Sequence, residues 1–274
     1  MAFLFLVFVS VWMAVFGFKA RLYLISCDVG QGDATLVISG STQILIDGGP
    51  DNKVLDCLGK HLPFWDKKIE AVILTHPEKD HYLGLIDVAK SYQVDNFFTS
   101  GLDNSTQDYG LLKSLLRPTE SLKEGSTLRL GKIYLDVVYP DELALVSYRL
   151  SASNEAKFNL YSLVLVLNYN KFKAILLGDI EPPATDYVAE KLLGQGHVDY
   201  IKVPHHGSKN GLTLKPLAVL NPELAVISVG KNSYGHPSKD VIDMLKNKKV
   251  EIFRTDEIGD IKIISDGQRF WLEK

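Results

Sequence analysis

The densest group of chemically capable side chains is Thr75-His76-Pro77-Glu78-Lys79-Asp80-His81. Four potential metal ligands, His76, Glu78, Asp80 and His81, follow directly on the apolar run 71–74. In an extended loop, positions 76, 78 and 80 project to one side, while Asp80 and His81, adjacent at the start of a helix, diverge. One short segment can thus address two metal ions a few ångströms apart. A solvated turn that happens to carry charge is the plainer alternative. Three further apolar runs end in similar groups. Leu176-Leu177-Gly178 delivers Asp179, a ligand or a helix cap. Pro204-His205-His206-Gly207-Ser208 places two adjacent histidines after a strand, where burial without a partner is costly. Tyr234-Gly235-His236-Pro237 closes another strand-loop. If two sheets bring these ends together, the groups converge on one cleft.

The elements that must position them are legible from periodicity and turn chemistry. Strands are expected over 22–29, 34–39 and 43–48, with Asp28-Val29-Gly30-Gln31-Gly32-Asp33 supplying the first turn. A helix is expected over about 52–61, a buried strand at 71–76 and a helix from His81 to Ser91. Paired strands follow over 128–140, then 160–168 and 173–179, with a hairpin signal at Asn168-Tyr169-Asn170-Lys171. A helix over 183–193 precedes a strand at 200–204. Another precedes 224–230, and a third covers about 238–247. Two strands, 250–255 and 261–265, end the pattern. Two groups of strands with interspersed helices predict an α/β (α+β) fold of two packed sheets with helices outside.

Composition sets outer limits. Of 274 residues, 46% are hydrophobic and 23% charged, enough for a substantial core. The net charge of −3 excludes a strongly basic nucleic-acid coat protein but permits a local basic patch. Two cysteines exclude a disulfide scaffold and a Cys-rich zinc module. Cys27 reads as a small buried residue not paired with Cys57. Any metal must therefore rest on histidines and carboxylates. Residues 1–18 carry no charge and are followed by Lys19 and Arg21. This segment is just long enough to span a bilayer and reads as a transmembrane anchor. A signal peptide and a buried helix are the alternatives. The positive-inside rule, resting on two charges, would place the remainder in the cytoplasm, and the side of the membrane stays open. The expected organisation is an anchor at 1–18 and one domain at 22–274.

Taken together, these motifs resemble the metallo-β-lactamase superfamily, and specifically the C-terminal hydrolase domain of ComEC-type competence proteins that take up DNA. The resemblance is carried by Asp28-Val29-Gly30-Gln31-Gly32-Asp33-Ala34, Leu45-Ile46-Asp47-Gly48-Gly49 and Thr75-His76 through His81. It continues through Asn159, Ser162-Leu163-Val164-Leu165, Leu176 to Ile180, and His205-His206-Gly207-Ser208. It ends with Ile227-Ser228-Val229-Gly230, Asn232 and Tyr234-Gly235-His236-Pro237. It implies an αββα sandwich with a binuclear centre of zinc or manganese at one edge, where a metal-bound hydroxide attacks phosphorus or carbonyl carbon. By position, His76 and Glu78 would serve one metal and Asp80 and His81 the other. Asp179 would bridge, and His205 or His206 would be the late ligand of the second metal, with His205 taken as the ligand. Asp80 and His236 would carry catalysis. Asp47, Asn159, His206 and Ser208 would support the metals or the substrate.

Two departures matter. Glu78 stands where the superfamily has His and competence-type domains have Asp. The middle His ligand is replaced by the stretch around Asn159 and Ser162. Both changes remove imidazole, which makes Mn²⁺ credible beside Zn²⁺. Other residues have plain readings: Asp33, Gly30 and Gly32 as hairpin geometry, Asp47 as a support to the metal ligands or a cap of the next helix, and His61 and His197 as exposed. Ser208 and Lys209 are weak phosphate-binding candidates.

The leading expectation is a membrane-anchored, metal-dependent phosphodiesterase or nuclease acting on DNA, with a separate membrane channel as possible partner. Lys202, Lys209, Lys231 and Lys239 would give a modest basic track for a polyanion. The alternatives are hydrolysis of small phosphodiesters, such as phosphorylcholine-type groups, and a degenerate binding module of a membrane complex. A true β-lactamase is disfavoured, since those enzymes have His at both altered seats.

Overall fold

The computed structural model describes residues 21–150 and 158–273. The anchor expected at 1–18 lies outside the described residues. Among the described residues no helix is long and apolar enough to cross a membrane.

The first half runs β1 (Leu22–Ser26), β2 (Thr35–Ser39), β3 (Thr42–Ile46), α1 (Lys53–His61), β4 (Lys68–Ile69) and β5 (Ala71–Leu74). It continues with α2 (Lys79–Ser91), β6 (Gln93–Val94), β7 (Phe97–Thr99), α3 (Gln107–Leu115) and β8 (Glu120–Ser121). The second half runs β9 (Thr127–Leu130), β10 (Ile133–Tyr139), α4 (Glu142–Leu150), β11 (Val164–Tyr169), β12 (Phe172–Leu176), α5 (Ala184–Lys191) and β13 (Tyr200–Lys202). Then come α6 (Leu214–Leu220), β14 (Leu224–Ile227), α7 (Lys239–Asn247), β15 (Glu251–Arg254), α8 (Thr255–Ile258), β16 (Ile261–Ser265) and β17 (Phe270–Leu272).

The strands form two mixed sheets. One has the order β17-β16-β1-β2-β3-β5-β7-β8, the other β15-β14-β13-β12-β11-β10-β9, and β4 pairs separately with β6. Three apolar layers follow from the alternation along the strands. Leu22, Leu24, Ile44 and Ile73 of the first sheet meet Leu135, Leu165, Ala174 and Val226 of the second in the central core. The opposite face of the first sheet, with Leu36, Leu45 and Val72, is covered by Leu58 of α1, Leu85 of α2 and Leu112 of α3. The outer face of the second, with Val166, Ile175 and Ile201, is covered by Val188 of α5, Leu217 of α6 and Leu245 of α7. Helix, sheet, sheet, helix is therefore the layer order, as expected.

The disulfide expectation is corrected. Cys27 and Cys57 are bonded, with Cα atoms 5.8 Å apart across a sequence separation of 30. Cys27 leaves β1 at the face that α1 covers, and Cys57 lies on the buried side of α1. Only the docking of helix on sheet brings the two sulfurs together. His61 is corrected as well. Its side chain is 9% exposed and its Nε2 lies 2.9 Å from Asp260 Oδ2. His197 is exposed as expected, with Glu223 at 2.9 Å. The strand expectations also missed the short β4, β6, β7, β8 and β17, which are too brief to show a period.

Candidate metal centre

Parallel neighbours place the ligands. β3, β5 and β7 are parallel in the first sheet, and β12, β13 and β14 in the second. Their carboxyl ends lie at one edge of the sandwich. Asp47 follows β3, His76 follows β5, Asp179 follows β12 and the two histidines follow β13. Asp80 and His81 open α2.

Asp47 organises the buried half of the site. Its backbone takes φ +60°, the left-handed region that Asp tolerates better than most residues. Its Oδ1 accepts the Thr75 N–H at 2.8 Å, and its Oδ2 accepts the Thr75 hydroxyl at 2.8 Å. The same Oδ2 accepts the His81 Nδ1–H at 2.9 Å. The Thr75 hydroxyl in turn accepts the His76 Nδ1–H at 3.0 Å, with Ser162 Oγ also near that proton at 3.3 Å. Both rings thus use Nδ1 on the protein and turn Nε2 inward. Ligating histidines are commonly oriented by such an outer partner. His206 follows the same rule: Nδ1–H donates to the Ser228 carbonyl at 3.0 Å, and Nε2 meets Asp80 Oδ2 at 3.2 Å and Asp179 Oδ2 at 3.4 Å. His81 Nε2 lies 3.3 Å from the same Asp179 oxygen.

Asp80, His81, Asp179 and His206 each offer a ligand atom within 4.8 Å of the others. His76 Nε2, His81 Nε2 and Asp179 Oδ1 are buried without a hydrogen-bond partner. Buried polar atoms are rarely left so, and these are the atoms a divalent cation would satisfy. The donor set of two imidazoles and two carboxylates suits Zn²⁺ or Mn²⁺, so the residues fit a metal.

Charges in the cluster are strongly coupled. Burial pushes the His76 imidazolium down to about 3, helped by the neighbouring His81 charge. His76 is therefore a neutral imidazole with a free lone pair. Burial resists ionisation of Asp80, but the His206 hydrogen bond and the His81 charge overcome it and hold the carboxyl at about 2. Burial likewise opposes the charges of Asp179 and His81, yet their mutual attraction, with His206 acting on Asp179 and Asp47 on His81, keeps both ionised. Glu78 goes the other way: burial and repulsion from Asp80 and Asp179 push it up to about 7.

Of the two histidines expected as the late ligand, His206 enters the cluster and His205, the one taken as the ligand, does not. Both have positive φ, 50° and 52°, and the tight turn sends the adjacent rings apart. His206 is buried in the cluster. His205 instead has Nδ1 3.0 Å from Glu181 Oε1 and Nε2 3.4 Å from Asn159 Nδ2. Ser208 is buried, and its Oγ accepts the Asn210 N–H at 3.3 Å, so it closes the turn. Lys202 leaves the basic track: it is 2% exposed, with Nζ 2.6 Å from Asp33 Oδ1. Asp33 is thus more than hairpin geometry. Gly32, at φ +157°, is tight for another reason: a Cβ there would lie 2.4 Å from the Asp80 carbonyl oxygen.

An open cleft of about 700 Å³ leads to the cluster, lined by Glu78, Lys79, Asp80, His205, His206 and His236, and also by Gln31, Asn104, Phe158 and Tyr234. His236 therefore faces the cleft, and burial with the nearby His205 and His206 charges lowers its proton affinity. Asn104, Phe158 and Tyr234 were missed as lining residues. Gln31 and Tyr234 fell inside quoted motifs, whereas Asn104 and Phe158 carry no sequence signal.

Comparison with known proteins agrees with this geometry. Residues 27–118 match the model of the metallo-beta-lactamase superfamily. ComE operon protein 3 of Bacillus subtilis (strain 168) is 28% identical over 258 residues, covering 86% of this chain and 32% of that protein. Recombination protein 2 of Haemophilus influenzae is 25% identical over 241 residues, covering 86% of this chain and 28% of that protein. The chain thus spans about a third of the length of these curated relatives. Among solved structures, the metallo-beta-lactamase fold protein YhfI from Bacillus subtilis superposes with a TM-score of 0.57 at 10% identity, covering 88% of this chain and 99% of that one, a likeness of fold. Residues 27–118 therefore match the metallo-beta-lactamase superfamily, and the chain is similar to a part of the ComEC-type proteins.

Proposed function

We propose that the chain is a membrane-anchored, metal-dependent phosphodiesterase that hydrolyses DNA during uptake. The observation that carries the reading is the group of Asp80, His81, Asp179 and His206 at the floor of an open cleft, with Nε2 of His81 and of the adjoining His76 buried without a hydrogen-bond partner. His76 and Glu78 stand beside this group as candidates for a second metal. A divalent metal held by these residues would supply Lewis acidity and lower the pKa of bound water. The chain's own residues do the rest. Asp47 orients the His81 ring directly and the His76 ring through Thr75, Asp80 and Asp179 remain anionic, and His236 presents a neutral ring to a bound phosphoryl group. Lys79, 60% exposed on its side chain, stands at the rim where a phosphate backbone would pass. The relatives' names, with their reference to a com operon and to recombination, favour DNA as the polymer.

The uncharged segment 1–18 supplies the anchor in this proposal. The Cys27–Cys57 bond favours the oxidising side of the membrane, against the weak vote of Lys19 and Arg21. A separate channel protein is the partner this reading calls for. The small-phosphodiester alternative is favoured by one observation: among the cleft-lining residues Lys79 is the lone lysine or arginine.

The test is digestion of end-labelled single-stranded DNA by the full chain with added Mn²⁺ or Zn²⁺, beside an Asp80→Ala/Asp179→Ala control. Metal-dependent cleavage absent from the control supports the proposal. A folded, metal-loaded chain that leaves DNA intact but cleaves a small phosphodiester would replace it with the alternative.

A further inference from the structure

The sandwich has two ends, and they differ in chemistry. The metal cluster occupies the end where β3, β5, β12 and β13 finish. At the opposite end β1 begins, with Leu22 paired to both Ser39 and Ser265. Arg21 stands there, three residues after the end of the uncharged segment 1–18. The loop between α1 and β4 reaches the same end, because Gln43 at the start of β3 donates from Nε2 to Asp66 Oδ2 at 2.6 Å. At the tip of this loop are Phe64 and Trp65, 82% and 73% exposed, with ring centroids 4.8 Å apart. Phe64 is the most exposed large hydrophobic side chain among the described residues.

Cations project from other loops of the same end, alongside Asp66 and Asp266. Lys67 follows the aromatic pair. Lys132 lies on the β9–β10 tip, whose Gly131 stands over Thr42. Lys171 lies on the β11–β12 tip and bonds through its N–H to the Gly267 carbonyl at 2.9 Å. Arg269 sits in the β16–β17 turn, 3.8 Å from Asp266. Exposed Trp and Phe beside Lys and Arg are the combination that settles at a lipid headgroup boundary. Adjacent anionic lipid adds attraction for each cation.

We infer that this end is a membrane-contacting face, in which Phe64 and Trp65 insert at the headgroup–acyl boundary of an anionic bilayer and Arg21, Lys67, Lys132, Lys171 and Arg269 meet lipid phosphates. The occupant is lipid because the exposed aromatic tip shares its end of the sandwich with several cations and is not an extended apolar groove. The face also adjoins the point where the apolar segment joins the fold. The inference rests on the anchor in the proposed function and adds an orientation to it. The metal cleft faces away from the bilayer, separated from it by at least the length of a five-residue strand, about 17 Å. A DNA strand would then reach the cleft from the aqueous side.

The test uses the full chain in phosphatidylcholine–phosphatidylglycerol vesicles, with Trp12→Phe and Trp271→Phe leaving Trp65 as the reporter. Expected is retention through an alkaline wash, a blue-shifted Trp65 emission, and loss of that emission when lipids brominated near the headgroup replace the ordinary ones. Retention without quenching overturns the face while leaving the anchor standing, and would point to a protein as the cover of Phe64 and Trp65. Release of the chain in the wash overturns both. A second measurement needs no substitution: chymotrypsin cleavage after Phe64 and Trp65 in the unaltered chain should be slower in vesicles than in detergent, and equal rates overturn the inference.

Discussion

Replacing Lys202 with Met should destabilise the protein severely, although the residue is far from bulk solvent and removal of a charge adds apolar surface to the core. Lys202 and Asp33 are 2% and 5% exposed, and their charged atoms lie 2.6 Å apart. At an effective dielectric of about 20 that separation corresponds to a gross attraction of about 6 kcal/mol, set against the cost of removing both ions from water. Met preserves the unbranched length, so little cavity opens. The cost comes from Asp33, left buried without its cation. Breaking one side of such a pair costs about 3–5 kcal/mol, and for a domain of this size each kcal/mol lowers Tm by roughly 2–4 °C. The assay is urea and thermal unfolding in the presence of a chelator, because Asp33 Oδ1 also lies 3.7 Å from His206 Nδ1 and bound metal would mask the effect. The Asp33→Asn/Lys202→Met double variant removes both charges and should recover most of the loss, a coupling above about 2 kcal/mol. A Lys202→Met cost under about 1 kcal/mol, or a double variant no better than the single, would refute the claim that this pair ties the first turn to the second sheet.

Three other outcomes are expected. Asp47→Ala frees the Nδ1 proton of His81 and the Thr75 hydroxyl that orients His76 and should weaken divalent-metal affinity by about 10–100-fold, read by competition with a metal-sensitive dye; unchanged affinity would remove its orienting role. Glu78→Gln tests a raised carboxyl. Because the folded-state value of about 7 exceeds the unfolded 4.5, the chelator-treated wild type should lose stability as pH climbs between those values, while the variant does not. A stability difference constant with pH would contradict this. Reduction, or Cys57→Ala, opens a loop of 30 residues and should cost ~3.6 kcal/mol by the chain-entropy relation, measured by denaturant midpoint with and without reductant.

The sequence by itself determined more of the site than of the architecture. His76, Glu78, Asp80 and His81 were legible because one loop carries them, and a loop after a buried strand is local information. Asp179 and the His205-His206 pair were legible for the same reason: each ends an apolar run. The helices at 53–61, 79–91 and 239–247 followed from periodicity long enough to show itself. What failed were choices between neighbours and contacts between distant segments. Which of two adjacent histidines turns inward depends on positive-φ backbone at both, imposed by packing against the Ser228 strand-end. The bond between Cys27 and Cys57 depends on α1 lying over β1. Lys202 reads as one more surface lysine until the two sheets close and enclose it with Asp33. Period, turn residues and ligand types are properties of short segments, so the sequence states them. Tautomer direction, ion pairing and the contrast between a metal end and an aromatic end arise from residues tens to hundreds of positions apart, which only the packed sandwich brings within bonding distance.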